Sequence, residues 1–322
     1  MPDAGFELVN IKMSGLRRGF SPGDIMHNIK TGKNLLTATF KSARLVKELE
    51  PTAVIGTGGY ISYPVLKQAA KYAIPTFVLE PNAYPGLAIK MLSGIVDKVF
   101  VTYKGMETRY KRPERVVYTG TPLRSEFFNV EPLTVKKEKP LVISYWGSIG
   151  AKRMNERMLE FIKLNSIEGK FKHIHATGVD SSVEEMKSKL KNLGISDINS
   201  MSIEIKEYID DMPSVMRTAD IVLSRAGAST IAELTALAKP AILVPSPNVT
   251  ENHQEENAKQ LQQAGSAIMI REDECTGEKL YKTVSDLLDD EKRLASMSKK
   301  QKLLSVDDAA TRIIDIILEY CN

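Results

Sequence analysis

Short apolar runs rich in β-branched residues alternate along the chain with longer stretches whose apolar residues recur every three or four positions. The runs predict strands at Leu8–Met13, Ala53–Ile55, Thr76–Leu79, Lys98–Val101 and Val116–Tyr118, with helices around Lys33–Leu49, Pro64–Tyr72 and Pro85–Leu92. From Asn129 to Pro140 the chain turns polar and is bounded by proline, as a linker is. The pattern restarts at Leu141-Val-Ile-Ser-Tyr-Trp and predicts further strands near His173–Ala176, Ser202–Ile205, Ile221–Leu223, Ala241–Val244 and Ala267–Ile270. Helices at Lys279–Leu288 and Ala309–Tyr320 end the chain. Strands without polar alternation are covered on both faces, and strand–helix alternation builds parallel sheets. The expectation is an α/β protein with one domain over residues 1–130 and a second over 139–322.

Composition narrows the class without naming a function. The 44 basic and 40 acidic residues of the 322 leave a net charge of +4, too mild to argue for nucleic acid. Two cysteines, Cys275 and Cys321, imply no disulfide framework and suit a reducing compartment. No run approaches the ~18 apolar residues of a membrane span. The first residues lack the charged and apolar regions of a signal peptide, so a cytoplasmic protein is expected.

Several strand ends carry candidate chemistry. After Ile221–Leu223, the segment Ser224 to Ser229 holds one large side chain, so the backbone of Gly227, Ala228 and Ser229 can approach a ligand. A helix predicted from Thr230 would aim its free N–H groups at that ligand and place Glu233 in its first turn, where a carboxylate can take two sugar hydroxyls. The polar turn at Asn252 to Gln254 follows one strand later. Gly147-Ser-Ile-Gly-Ala, between a buried strand and a helix opening at Lys152, suits a diphosphate at Ser148. In the first domain Gly56-Thr-Gly-Gly-Tyr-Ile-Ser places Gly58, Gly59 and Tyr60 on a matching loop, and Glu80-Pro-Asn-Ala-Tyr presents Asn82 and Tyr84. Arg124, next to the linker, has the geometry to clamp a phosphate. In Glu207-Tyr-Ile-Asp-Asp-Met, Ile209 can cover a flat base while its backbone reads the base edge, and Asp210 and Asp211 suit a helix start better than a metal. Asp-x-Asp, the usual carboxylate pair for a divalent ion on a nucleotide diphosphate, is absent, so metal-independent chemistry without a cofactor is expected. Plain alternatives stand beside these readings: a helix-dipole charge for Glu233, structural turns at Gly147 and Asn82, and a solvated Arg124.

At about 100° per residue, Lys30, Lys33, Lys41, Arg44 and Lys47 fall within an arc of roughly 120° on the first long helix, with Phe40 at its rim. Leu35, Leu36, Thr39, Ala43, Val46 and Leu49 take the core-facing side. Such a stripe, with Arg17 and Arg18 nearby, suits an anionic bilayer surface. An ordinary solvated face is the alternative.

Two open, Rossmann-like parallel-sheet domains facing a cleft describe the GT-B glycosyltransferase architecture. Ser14-Gly-Leu-Arg-Arg-Gly, Gly58-Gly-Tyr-Ile-Ser, Gly120-Thr-Pro-Leu-Arg, Gly147-Ser-Ile-Gly-Ala, Tyr208-Ile-Asp-Asp-Met, Ser224-Arg-Ala-Gly-Ala-Ser-Thr-Ile-Ala-Glu and His253-Gln-Glu-Glu-Asn-Ala, in this order, closely resemble the MurG family. The resemblance implies transfer of N-acetylglucosamine from its UDP donor to undecaprenyl-diphosphate-linked N-acetylmuramoyl-pentapeptide, forming lipid II for peptidoglycan at the cytoplasmic face of the bacterial membrane. It implies Ser148 at the donor diphosphate, the Ile209 backbone at uracil, Glu233 at the ribose, Gln254 at the sugar hydroxyls and Arg124 near the donor. Asn82 resembles the asparagine of a Glu-Gln-Asn motif, with Pro81 in place of its glutamine. Ile149 stands where glutamine is frequent. The family's opening strand and Gly-rich, His-containing loop have no counterpart here, so the first domain is expected to be incomplete. His27, His173, His175 and His253 match no motif for that loop, and no catalytic base is assigned. Two alternatives accompany the transferase: an inactive or split nucleotide-sugar-binding remnant, and another GT-B enzyme such as a UDP-sugar 2-epimerase or a glycolipid synthase.

Overall fold

The structure, a computed structural model, describes residues 5–15, 19, 21–128, 138–195 and 202–321. Arg17, Arg18 and most of the expected linker lie outside the described residues. The chain forms two compact units, Met1–Thr121 with Ala309–Asn322, and Pro122–Asp308.

The first unit carries strands β1 (Val54–Gly56), β2 (Thr76–Glu80), β3 (Lys98–Val101) and β4 (Val116–Tyr118), all parallel and side by side in that order. Helix α1 (Pro22–Leu49) precedes β1, α2 (Gly59–Lys71) joins β1 to β2, and α3 (Leu87–Leu92) joins β2 to β3. Leu66 of α2 and Ile89 and Leu92 of α3 pack on Val78 and Val99 to cover one sheet face.

The opposite face shows where the expected domain boundary fails. Phe77, Leu79 and Phe100 project there, the two Phe rings stacked 5.7 Å apart. They are covered by Ile313, Ile316 and Ile317 of the last helix, α11 (Ala309–Cys321), and Tyr320 sets its ring edge-on to Phe77 at 5.5 Å. An apolar sheet face must be covered by some element; here the chain's final helix does it, so 139–322 is not one continuous domain.

The expected strand at Leu8–Met13 is also corrected. It pairs with no strand among the described residues, and Phe6, Leu8 and Val9 are exposed. Apolar alternation does not make a strand where no ladder takes up its N–H and C=O groups. Helix α1 starts eleven residues before the expected Lys33 because Ser21 caps it: its hydroxyl accepts from the Asp24 N–H at 3.1 Å, with Pro22 at the first helical position. Only small or slim side chains, Thr31, Ala38, Ser42 and Val46, are buried on α1, whereas Leu36 and Leu49, expected toward the core, are exposed.

The second unit is a six-stranded, all-parallel sheet of β5 (Leu141–Tyr145), β6 (Lys172–Ala176), β7 (Ile203–Lys206), β8 (Ile221–Ser224), β9 (Ala241–Leu243) and β10 (Ala267–Met269). Its spatial order is β10-β9-β8-β5-β6-β7. Helices α4 (Lys152–Glu168), α5 (Val183–Asn192), α6 (Met212–Thr218), α7 (Ala228–Ala236), α8 (His253–Ala264), α9 (Gly277–Asp289) and α10 (Glu291–Lys302) wrap both faces. Helix α10 was not legible in the sequence, since its residues are mostly charged and only Met297 and Gln301 are buried. This is the doubly wound dinucleotide-fold order, whose winding reverses between β5 and β8.

Candidate functional site

The winding reversal fixes where a ligand can enter the second unit. Tyr145 and Ser224, which pair across β5 and β8, end their strands side by side, and the two following turns diverge from them. Both turns lead into helices whose first N–H groups meet no side-chain cap: Ala151 precedes α4 and Gly227 precedes α7. Helix α8, after β9, is likewise uncapped at Asn252. The contrast with the rest of the unit is instructive. Ser182, Asp211, Thr276 and Asp290 each cap their own helix with a side-chain oxygen. Three N-termini with open donors around one strand edge form a field suited to an anion.

The turn Gly147–Gly150 is held by backbone alone. The Val179 N–H donates to the Ser148 carbonyl at 3.0 Å and the Asp180 N–H to that of Ile149 at 3.2 Å. Gly147, at φ +92°, has open space at the Cβ position, and the Ser148 side chain is exposed. In the second turn Arg225, its one large residue, is buried: it pairs with Glu272 at 2.6 Å and donates to the Val244 carbonyl at 3.0 Å. Asn257 of α8 donates to the Ala226 carbonyl at 3.1 Å. These anchors, not singled out from the sequence, leave small residues, Gly227, Ala228 and Ser229, at the helix entry. Asn257 was visible as the last residue of His253-Gln-Glu-Glu-Asn, but no spacing rule links Arg225 to Glu272.

Because α7 begins at Ala228, two residues earlier than expected, Glu233 sits in its second turn and not its first. It lies beyond the dipole's best reach and is partly withdrawn from water. Burial pushes its carboxyl up to about 7, against the pull of the Arg124 guanidinium. The Glu233 charge in turn raises the Tyr145 phenol, already pushed up by full burial. The exposed Arg124 therefore acts on Glu233 within this unit, and it also lies over the Phe127 ring at 5.7 Å.

Gln254 accepts from the Ser246 N–H at 2.8 Å through its amide oxygen, which orients its NH2 as a donor. Ile209 is 3% exposed, so its side chain belongs to the core and does not cover a base; its backbone is what remains for reading one. Asp211 caps α6 through the Ser214 N–H, as the sequence suggested.

In the first unit Gly58 and Gly59 adopt φ of +92° and +73°, and α2 starts at Gly59. Tyr60 is partly exposed, with its ring against Gly15. Glu80, 2% exposed at the end of β2, accepts from the Asn82 N–H and side-chain amide at 3.0 Å each, and from the Gly86 N–H at 2.9 Å. It thereby folds the loop that carries Asn82. His27 donates from Nε2 to the Gly15 carbonyl at 3.0 Å.

On α1, Lys33, Phe40, Lys41, Arg44 and Lys47 are all exposed, Phe40 at 75%. The longer helix adds exposed Ile25, Met26 and Ile29, which with the exposed Leu36 share an arc of about 100° with Phe40, Lys33, Arg44 and Lys47. Arg44 is already paired with Glu48 at 2.6 Å.

Comparison with known proteins places this geometry. The glycosyltransferase family 28 N-terminal domain matches residues 1–101 and its C-terminal domain residues 143–313. The chain is thus a glycosyltransferase of the GT-B class, two parallel-sheet α/β domains. A protein of Acetivibrio thermocellus is 38% identical over 323 residues, spanning 98% of this chain and 85% of its own. It is named UDP-N-acetylglucosamine–N-acetylmuramyl-(pentapeptide) pyrophosphoryl-undecaprenol N-acetylglucosamine transferase. At that identity and coverage the chain belongs to this family, the MurG N-acetylglucosaminyltransferases. The crystal structure of MurG from Acinetobacter baumannii shares the fold at a TM-score of 0.73 with 24% identity, covering 96% of this chain and 83% of its own. A UDP-N-acetylglucosamine 2-epimerase shares it at 0.65 with 16% identity, over 90% and 78% of the two chains. That likeness is one of fold alone.

Proposed function

We infer that the chain transfers N-acetylglucosamine from UDP-N-acetylglucosamine to undecaprenyl-diphosphate-linked N-acetylmuramoyl-pentapeptide, the lipid I to lipid II step of peptidoglycan synthesis. The observation that carries this is family membership across 98% of the chain, under a name that states donor and acceptor. The remnant and epimerase alternatives are not favoured by it. The second unit supports the donor half of the reading. The diphosphate lies against the open N–H groups ahead of α4, at Ser148. The uracil edge meets the Ile209 backbone, Glu233 takes the ribose hydroxyls, and the Gln254 amide and Arg124 address the sugar and phosphates. Chemistry is an inverting displacement: an acceptor hydroxyl attacks the anomeric carbon as the bond to the UDP oxygen breaks. The charge growing on that oxygen is stabilised by helix donors already in place.

The first unit takes the acceptor, and α1 lays its apolar and basic stripe on the anionic cytoplasmic face of the membrane. No helix among the described residues is long and apolar enough to cross a membrane, which fits a peripheral attachment.

The only tryptophan, Trp146, is buried at the end of β5 directly before Gly147, so its fluorescence reports on this turn. UDP-N-acetylglucosamine should change that signal saturably, with or without chelator, and labelled sugar should pass to a lipid I analogue. Donor hydrolysis or 2-epimerisation in place of lipid-linked product would overturn the reading.

A further inference from the structure

One cluster in the first unit is unused by the donor site. Tyr84, in the loop after β2, carries Lys90 Nζ 4.1 Å from its ring centroid and the Arg109 guanidinium at 5.3 Å. Two cations on one aromatic ring lie close enough to repel each other, and an aromatic face offsets that only in part. Neither forms an ion pair among the described residues, although Glu107 is two residues from Arg109. The nearby carboxylate, Glu80, is committed: its oxygens already accept three N–H groups of the loop. Beside them Tyr110 is 7% exposed, and its hydroxyl makes no hydrogen bond. Burial pushes its phenol up, with the Glu80 charge adding to the rise and the Arg109 charge opposing it. A sealed polar group without a partner is a cost that a bound ligand can remove.

Position strengthens the case. Tyr84 follows β2 and Arg109 follows β3, so the cluster sits at the carboxyl edge of a parallel sheet, where open α/β folds bind ligands. The segment between β3 and β4 adds Lys104, Lys111, Arg112 and Arg115 against Glu107 and Glu114, so its balance is positive.

We propose that Lys90 and Arg109, mounted on Tyr84, form a clamp for an oxyanion of the acceptor. The proposal rests on the acceptor reading above and goes beyond it by assigning the residues. The acceptor offers that chemistry in two places, its lipid-linked diphosphate and its peptide carboxylates. Tyr84 sets the spacing of the clamp, and the guanidinium supplies a bidentate fork that the ammonium cannot.

The test is steady-state transfer from UDP-N-acetylglucosamine to a short-chain lipid I analogue by the full chain, comparing wild type with Lys90→Gln, Arg109→Gln and the double variant. The acceptor KM should rise about tenfold for each single change, since a hydrogen bond to a charged group is at stake. The donor KM and the Trp146 titration should stay unchanged. Tyr84→Leu, which removes the ring that sets the spacing, should raise the acceptor KM and leave the donor KM unchanged. With the peptide carboxylates amidated, a penalty that persists in the double variant assigns the clamp to the diphosphate; one that disappears assigns it to the peptide. An active double variant with an unaltered acceptor KM overturns the clamp and leaves the functional reading standing. Absence of transfer by the wild-type chain strikes the functional reading instead.

Discussion

A methyl group on Gly178 would lie 2.3 Å from both the Cα and the amide nitrogen of Gly150. The turns after β5 and β6 therefore touch backbone to backbone, and both glycines adopt positive φ, +86° and +88°. This close approach shapes the turn at Ser148 without a single side-chain bond: the Gly178 turn supplies the neighbouring N–H groups of Val179 and Asp180 that hold it.

Gly178→Ala should thus damage donor binding through the Ser148 turn it packs against. The strained backbone costs about 1–3 kcal/mol, and relief requires moving the Ser148 turn. Titration followed by Trp146 fluorescence should show donor affinity weakened about tenfold or more, with far-ultraviolet circular dichroism unchanged. Gly194→Ala, equally strained at φ +87° but with open space around it after α5, is the control and should leave affinity intact.

A second prediction concerns acid stability. Ser144 Oγ lies 2.8 Å from His173 Nε2 and 2.7 Å from His175 Nδ1, and all three residues are fully buried. One hydroxyl donates once, so the ring that accepts from it must be neutral, and burial disfavours the charged form of both. Burial holds His173 well below the usual histidine range, and His175 is brought down to about 3. The stability tied to these neutral rings is complete above pH 6.5 and is lost as the pH falls below it, because the unfolded chain then binds protons that the fold refuses. The loss is about 1.4 kcal/mol per pH unit for each ring. Urea unfolding from pH 7.5 to 4.5 should show this decline, and His175→Gln should make it shallower by one proton. Equal slopes in both proteins would refute it.

The strands of the second sheet were legible almost residue for residue, because β5, β8, β9 and β10 are apolar runs bounded by turns and the shorter-patterned β6 and β7 fall between them. The first was harder. Leu8–Met13 carries the alternation of a strand, yet pairing is decided by neighbours that a local pattern does not contain. The eleven extra residues at the start of α1 escaped because Ile25, Met26 and Ile29 face solvent, so they break the core-facing period instead of extending it. The residues proposed for the donor fell on strand ends that turn chemistry reveals, whereas the Arg225–Glu272 pair and the Gly150–Gly178 crossing join distant segments. Those depend on the strand order itself.

That solvent-facing stripe yields a third prediction. Flotation with anionic vesicles should fall when Lys33 and Lys41 are changed to Glu, each basic residue being worth about 1 kcal/mol near such a surface. Arg44→Glu should cost less, since Glu48 already offsets its charge at 2.6 Å. Phe40→Ser and Ile29→Ser should weaken binding even at high salt, which screens the lysines but leaves apolar insertion intact. A response to charge alone, with Phe40→Ser indistinguishable from wild type, would reduce the stripe to a solvated face.

The carboxyl of Glu233, pushed up to about 7, makes donor binding and folding respond to pH in opposite senses. In the ribose-binding role proposed for it, Glu233 accepts two hydroxyls best as the carboxylate, so affinity for UDP-N-acetylglucosamine should rise from pH 6 to pH 8. The donor's own diphosphate, a diester, is ionised throughout that range. Folding goes the other way. Between the ordinary value of 4.5 and about 7 the folded chain holds a proton that the unfolded chain has released, so stability falls as pH rises through this window. Glu233→Gln keeps the shape and removes the titration. At pH 8 it should be the more stable protein by about 1–3 kcal/mol in urea unfolding, and at pH 4 it should match wild type. Its donor affinity should be weaker than that of wild type at pH 8 and flat across the range. A variant that loses affinity but keeps the wild-type pH profile would show that another group titrates. Arg124→Gln tests the coupling from the other side: without the guanidinium the Glu233 carboxyl rises further, and the affinity profile should shift to higher pH.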